Sequence, residues 1–205
     1  MAVAQANNSQ HNPSGKSPNI WQHRRIVIAL SGGISCYKIA SLVSRSIQAN
    51  ASVRVLMTPA ACRFVGPATF ESLSGSPVLT DIFASSQDRE SPHIALAQWC
   101  QLMIIAPATA DLIAKLAGGR TDDVVCLTAC ALPPSTPVLL APAMNEQMWQ
   151  NPITQRNTRT VIETLDYHTV GPDEGWQACR TTGEGRMSEP DQIFESATQL
   201  LETQL

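Results

Sequence analysis

Arg25-Ile-Val-Ile-Ala-Leu30 runs directly into Ser31-Gly-Gly-Ile-Ser35, and a helical pattern through Ile39, Leu42, Val43 and Ile47 follows. A short apolar run rich in β-branched side chains reads as a strand buried on both faces, the kind that parallel sheets contain. Strand, glycine turn and helix together read as the opening of a βαβ unit. The pattern recurs along the chain. Val53–Met57, Leu102–Ala106 and Pro137–Ala141 are further apolar runs, and helical stretches fit at 59–65, 109–117, 122–132, 152–165 and 191–203. Such alternation predicts an α/β fold: an open parallel sheet, Rossmann-like or flavodoxin-like, with helices on both faces.

The chain has 205 residues, enough for one domain with a full core. With 43% hydrophobic and 15% charged residues it is not a disordered polyelectrolyte. The net charge is −3 and the 14 Lys and Arg are scattered, so neither nucleic acid nor an anionic membrane is an expected partner. No apolar run reaches the roughly 18 residues of a membrane span. Residues 1–22 are rich in Asn, Gln, Ser and Pro and lack the apolar core of a secretory signal. They read as a disordered leader, and 23–205 as a single domain. The six cysteines therefore read as reduced thiols. Cys126 and Cys130 fall on one helix face, but no second pair or His cluster completes a zinc set, and no metal is expected.

Each strand ends in a polar turn punctuated by Gly or Pro: Ser31-Gly-Gly, Thr58-Pro59, Pro107-Ala-Thr109 and Pro142-Ala-Met-Asn145. Ligands of open α/β sheets bind beyond the carboxyl ends of the strands, so these turns define one site. Glycines that open a helix let the backbone approach a phosphate. The dinucleotide pattern G-x-G-x-x-G is absent, and strand two ends in Thr58 rather than an acid that would hold a ribose 2′-OH. NAD is therefore disfavoured. One phosphate held by the turn amides and the hydroxyls of Ser31, Ser35 or Thr58 fits better, as in a mononucleotide such as FMN.

Three further features stay open on residue type alone. His93, after Pro92, reads as a loop histidine: a solvated or structural group, or an acid/base candidate. Asn145 offers amide donors to a carboxylate, or caps the following helix. Ala178-Cys-Arg-Thr-Thr-Gly-Glu-Gly-Arg-Met187 is a glycine-hinged segment, either a lid or a surface loop with a spare thiol.

Taken together, these stretches resemble the flavin-dependent cysteine decarboxylases. Pro142-Ala-Met-Asn-Glu-Gln-Met-Trp149 matches their PxMNxxMW signature. Ala106-Pro-Ala-Thr-Ala110, with Ile113–Ala117 and Asp122-Asp123, is similar to their flavin-side motif. Ser31-Gly-Gly-Ile34 with Tyr37-Lys38 is similar to their phosphate turn, and His93-Ile94 to their active-site histidine. Cys179 with Gly183-Glu-Gly-Arg-Met187 and Glu189-Pro190 resembles the lid of the coenzyme A branch. The likeness spans about Arg24 to Leu201. Asp111-Leu112 stand where the family usually has Asn-Thr, and Asp retains a hydrogen-bond acceptor.

The resemblance implies FMN held by Ser31, Gly32, Gly33, Ile34, Ser35, Thr58, Phe64, Ala106, Pro107, Ala108, Thr109 and Asp111. It implies a substrate, 4′-phosphopantothenoylcysteine, against Ala143, Met144, Asn145, Arg186 and Met187. His93 would be the base, Asn145 would hold the carboxylate, and Cys179 would protonate an enethiolate on the way to 4′-phosphopantetheine. The peptide-modifying branch releases the enethiol instead, and a regulatory homologue can lose the His or the Cys; this sequence keeps both. The family implies a homotrimer or a dodecamer with sites between subunits, in the cytoplasm. In many bacteria the domain is fused to a ligase for which Leu205 leaves no room, so a stand-alone decarboxylase, or that half of a fusion, is expected.

Overall fold

The computed structural model describes residues 19–83 and 91–204. Its centre is a five-stranded sheet of β1 (Arg25–Leu30), β2 (Ser52–Met57), β3 (Leu102–Ala108), β4 (Val138–Pro142) and β5 (His168–Thr169), in the order β2-β1-β3-β4-β5. Every pairing in that sheet is parallel. The chain moves outward from β1 to β2, then crosses back to β3 on the other side of β1. That reversal opens a crevice beyond β1 and β3, where doubly wound sheets of this strand order take their ligands.

The strands are buried on both faces because helices cover both. Ile26, Ile28 and Leu30 point to one side with Val53, Val55, Leu102 and Ile104, and meet α1 (Ile39–Gln48), α2 (Pro67–Ser74) and α8 (Pro190–Glu202). Val27, Ala29, Met103, Ile105 and Leu140 point to the other, against α4 (Ala110–Ala117), α5 (Val124–Cys130) and α7 (Pro152–Glu163). This is the two-residue period of a strand read by two cores. Two shorter elements complete the edge: α6 (Glu146–Trp149), and an antiparallel hairpin of β6 (Asp173–Trp176) and β7 (Thr182–Arg186). None of the described helices is long and apolar enough to cross a membrane. The six cysteines are unpaired.

Several expectations change. Residues 19–22, assigned to the leader by composition, form a turn in which Trp21 is only 2% exposed. Its indole stacks on Phe194 with centroids 4.1 Å apart and its N–H donates to Thr198 at 2.8 Å. The rest of the expected leader lies outside the described residues. The stretch 59–65 makes only a 3-10 turn at Ala61–Arg63. Gly66 and Pro67 then start the unanticipated α2. His93 is not in a loop: Pro92, with its fixed φ and no N–H to satisfy, opens α3 (Pro92–Trp99) with His93 in the first turn. The expected lid loop is the β6–β7 hairpin, whose glycines sit inside a strand rather than at hinges.

Candidate active site at the carboxyl edge of the sheet

The strand-end turns are fastened to one another before any ligand is considered. Ser31, 2% exposed, donates from Oγ to the Pro107 carbonyl at 2.7 Å and accepts from the Thr109 N–H at 2.9 Å. Thr109 in turn caps α4, its hydroxyl accepting from Leu112 N–H at 3.4 Å. Thr58 N–H donates to the Leu30 carbonyl at 3.0 Å, and its hydroxyl accepts from Ala61 N–H at 3.2 Å. Gly32 is where the turns after β1 and β2 touch: a Cβ there would lie 2.4 Å from Ala60 Cβ. The expectation that the Ser31 hydroxyl holds a phosphate is therefore modified, because that hydroxyl ties β1 to β3.

The backbone of the same turn is differently disposed. Among the described residues, the N–H groups of Gly32, Gly33, Ile34 and Ser35 have no protein acceptor. Four consecutive donors ahead of a helical segment make a cradle for an anion. Thr58, whose oxygen already accepts a bond, keeps its own O–H proton to donate.

These groups line one cavity of about 1160 Å³. Of the residues nominated from sequence, Ser31, Gly32, Gly33, Ile34, Ser35, Thr58, Thr109, Asp111, Ala143, Met144, Asn145, Cys179, Arg186 and Met187 all reach it. Five do not. Phe64 is outside the lining and is 49% exposed. Ala106 and Ala108 are fully buried inside β3, and Pro107 contributes through the carbonyl that Ser31 holds. His93 is outside the lining of this cavity. His93 lies in the first turn of α3, the helix that ends at Trp99 just before β3 begins at Leu102.

The Asn145 side chain caps the following helix. Its Oδ1 accepts from Met148 N–H at 2.9 Å, capping α6. Its amide NH₂ remains to donate on the cavity side. The hairpin tip also lines the cavity; there Arg180 takes a φ of 66° and Cys179 Sγ sits 3.0 Å from Thr181 Oγ1.

The cavity is electrically polarised. At one corner Lys38 Nζ lies 2.8 Å from Glu189, and Arg186 contacts the same carboxylate oxygen, so two cations share one anion. The Lys38 hydrogen bond, above all, holds the Glu189 carboxyl below its ordinary value. At the other corner Lys115 lies 3.1 Å from Asp123, 3.4 Å from Asp111 and 3.6 Å from Asp122, and Arg120 pairs with Asp122 at 2.8 Å. Burial works against the Lys115 ammonium, but its bond to Asp123 and the charges around it raise its pKa overall. Asp111, where the family usually has Asn, shares the charge of a lysine one helical turn on with Asp122 and Asp123. Sequence reasoning missed Gln177, which lines the cavity from the hairpin tip; no motif or spacing marks it.

A doubly wound sheet with an anion cradle at its reversal point defines the class: an α/β protein that binds a phosphorylated ligand at the carboxyl edge. The Flavoprotein family model matches residues 15–202, and the chain belongs to that family. It is 43% identical over 175 residues to the coenzyme A biosynthesis bifunctional protein CoaBC of Bacillus subtilis, covering 85% of this chain and 42% of that protein. The CoaBC of Vibrio cholerae is 44% identical over 170 residues, again with 42% of its length covered. The chain thus spans less than half the length of these curated relatives. Among solved structures, a PPC decarboxylase mutant complexed with pantothenoylaminoethenethiol superposes with a TM-score of 0.79 at 28% identity, over 88% of this chain and 100% of that one. The FMN binding protein AtHal3 gives 0.77 at 28% identity, over 90% and 100%.

Proposed function

We propose that this chain is an FMN-dependent carboxy-lyase that converts 4′-phosphopantothenoylcysteine to 4′-phosphopantetheine in coenzyme A biosynthesis. The observation that carries this reading is the meeting of Asn145, Cys179 and the Gly32–Ser35 cradle around one cavity. An anion cradle alone would suit many phosphorylated ligands. A carboxamide and a thiol lining that same cavity suit a substrate that loses a carboxylate and receives a proton.

The cradle fits FMN: the Gly32–Ser35 amides and the Thr58 hydroxyl would hold its phosphate, with Thr109 and Asp111 toward its ring system. When bound, FMN supplies reversible hydride transfer, which turns the thiol-bearing carbon into an electron sink for loss of CO₂. The protein's own residues do the rest. Asn145 donates from its amide to the substrate carboxylate and fixes its orientation. His93 takes the proton released from the substrate thiol. Cys179 gives a proton to the carbon of the enethiolate that remains after CO₂ departs. The corner of Lys38 and Arg186, two cations with one carboxylate between them, keeps a net positive charge that suits the phosphate of the substrate.

His93 acts from a second copy of the chain in this reading, which accounts for its place outside the cavity lining. The rim supports it: Ile34, Tyr37, Met148 and Trp176 are large, exposed apolar side chains beside a polar site. A homotrimer, or a dodecamer of four trimers, would cover them, and coenzyme A synthesis would place the enzyme in the cytoplasm. The test is direct. Protein reconstituted with FMN and mixed anaerobically with 4′-phosphopantothenoylcysteine should release equal amounts of CO₂ and 4′-phosphopantetheine, and denaturation should release FMN. Failure to retain FMN, or unchanged substrate with the flavin-loaded protein, would overturn the proposal.

A further inference from the structure

Gln177 is a polar side chain only 6% exposed, although the tip residues that follow it, 178–182, are exposed. Burying a carboxamide is costly unless its groups are paired. Here all four hydrogen-bonding positions are used. Nε2 donates to the carbonyls of Gly183 and Glu184, each at 3.1 Å. Oε1 accepts from the Glu146 N–H at 3.1 Å and from the Cys179 thiol at 3.5 Å. The opposite orientation of the amide would set NH₂ against an N–H and oxygen against two carbonyls, so only one orientation is stable.

The partners make the pattern informative. Glu146 is the first residue of α6, directly after Asn145, and its N–H is one of the donors that a helix leaves without an internal acceptor. That donor is satisfied by a side chain from the hairpin. The backbones are also in contact: Met144 N–H donates to the Gly185 carbonyl at 2.9 Å, and a Cβ on Gly185 would lie 2.5 Å from the Met144 carbonyl oxygen. One buried amide therefore joins the thiol of the hairpin tip to the turn that carries the carboxamide.

We propose that Gln177 is a positioning residue that locks the hairpin tip bearing Cys179 to the turn bearing Asn145, so that the proton donor and the carboxylate anchor keep a fixed spacing. Its catalytic consequence rests on the roles given above to Cys179 and Asn145; its structural consequence does not. In Gln177→Leu, which is of similar size and removes all four of these hydrogen bonds, amide hydrogen exchange should accelerate together in 144–149 and 177–185, each by at least about tenfold, the effect of losing even one buried hydrogen bond. Exchange in β1 and β2 should stay as in wild type. In the FMN-loaded oligomer, formation of 4′-phosphopantetheine should fall about tenfold relative to CO₂ release, with oxidised enethiol making up the difference. Gln177→Met serves if the leucine variant does not fold.

Faster exchange confined to the hairpin, or in neither segment, would refute the lock. Coupled exchange with a wild-type product ratio would refute the positioning role, provided that Cys179→Ser, assayed in parallel, does change that ratio. If Cys179→Ser leaves the ratio unchanged, the assignment of Cys179 as proton donor fails, and the exchange data alone decide the lock.

Discussion

The two walls of the cavity are built in opposite ways. The β1, β2 and β3 turns grow directly out of a buried parallel sheet and are fastened by Ser31, Thr58 and the close approach at Gly32. The β6–β7 hairpin lies outside that sheet and is held by side chains laid across it: Gln177 at the tip, Arg186 and Glu189 at the base. The first wall is rigid because moving it would break the core. The second can be loosened without unfolding the protein. A cofactor that stays bound suits the first wall, and a substrate that must enter and leave suits the second.

The comparison breaks most severely at Gly32. A Cβ there meets both the side chain and the backbone of Ala60, which no rotamer can relieve, so Gly32→Ala should cost about 1–3 kcal/mol and abolish FMN binding. Gly33→Ala puts its Cβ 3.5 Å from Thr109 Cγ2, an ordinary contact, and should melt close to wild type. Thermal melts and flavin fluorescence titrations of the pair check this.

Next in size is His93, which belongs to neither wall of its own chain. His93→Asn should leave FMN bound and slow turnover by about 10²–10⁴-fold; turnover within about threefold of wild type would remove it from the chemistry.

The hairpin base makes a smaller, pH-dependent contribution. Glu189 holds its proton less tightly when folded, so its stabilisation is complete above the ordinary carboxylate range near 4.3 and disappears as pH falls below it. With a side chain 44% exposed, the effect should stay under about 1 kcal/mol. Glu189→Gln should flatten the acid limb of a stability-against-pH curve and leave neutral FMN affinity unchanged.

The smallest effect is expected at the tip. Arg180 holds a left-handed conformation that glycine adopts freely, so Arg180→Gly should stabilise the hairpin by about 0.5 kcal/mol, read from exchange in 177–185.

What was legible in the sequence follows the same division. The sheet and its turns announce themselves through local signals: apolar runs such as Ile26–Leu30, then Gly-Gly, Thr-Pro or Pro-Ala-Thr. Cys179 and Asn145 were found through motifs. The hairpin reads as a loop because Thr182-Gly-Glu-Gly-Arg186 has two glycines, no apolar side chain and one β-branched residue; long-range docking onto Met144 and Glu146 makes it a strand. Trp21 was lost in a polar leader because its partner, Phe194, lies far away in sequence. His93 was misread as a loop residue although Ser91-Pro92 is a helix-start signal. Gln177 carried no signal, since its role depends on three elements meeting.

In the proposed reaction the sheet-borne wall serves oxidation and loss of CO₂, while the hairpin serves the final protonation. Cys179→Ser tests it most directly, in a single anaerobic turnover of FMN-loaded protein followed by flavin absorbance and product analysis. The account predicts that CO₂ is still released, the flavin stays reduced and the oxidised enethiol accumulates in place of 4′-phosphopantetheine. Formation of 4′-phosphopantetheine with reoxidised flavin at the wild-type rate would contradict it.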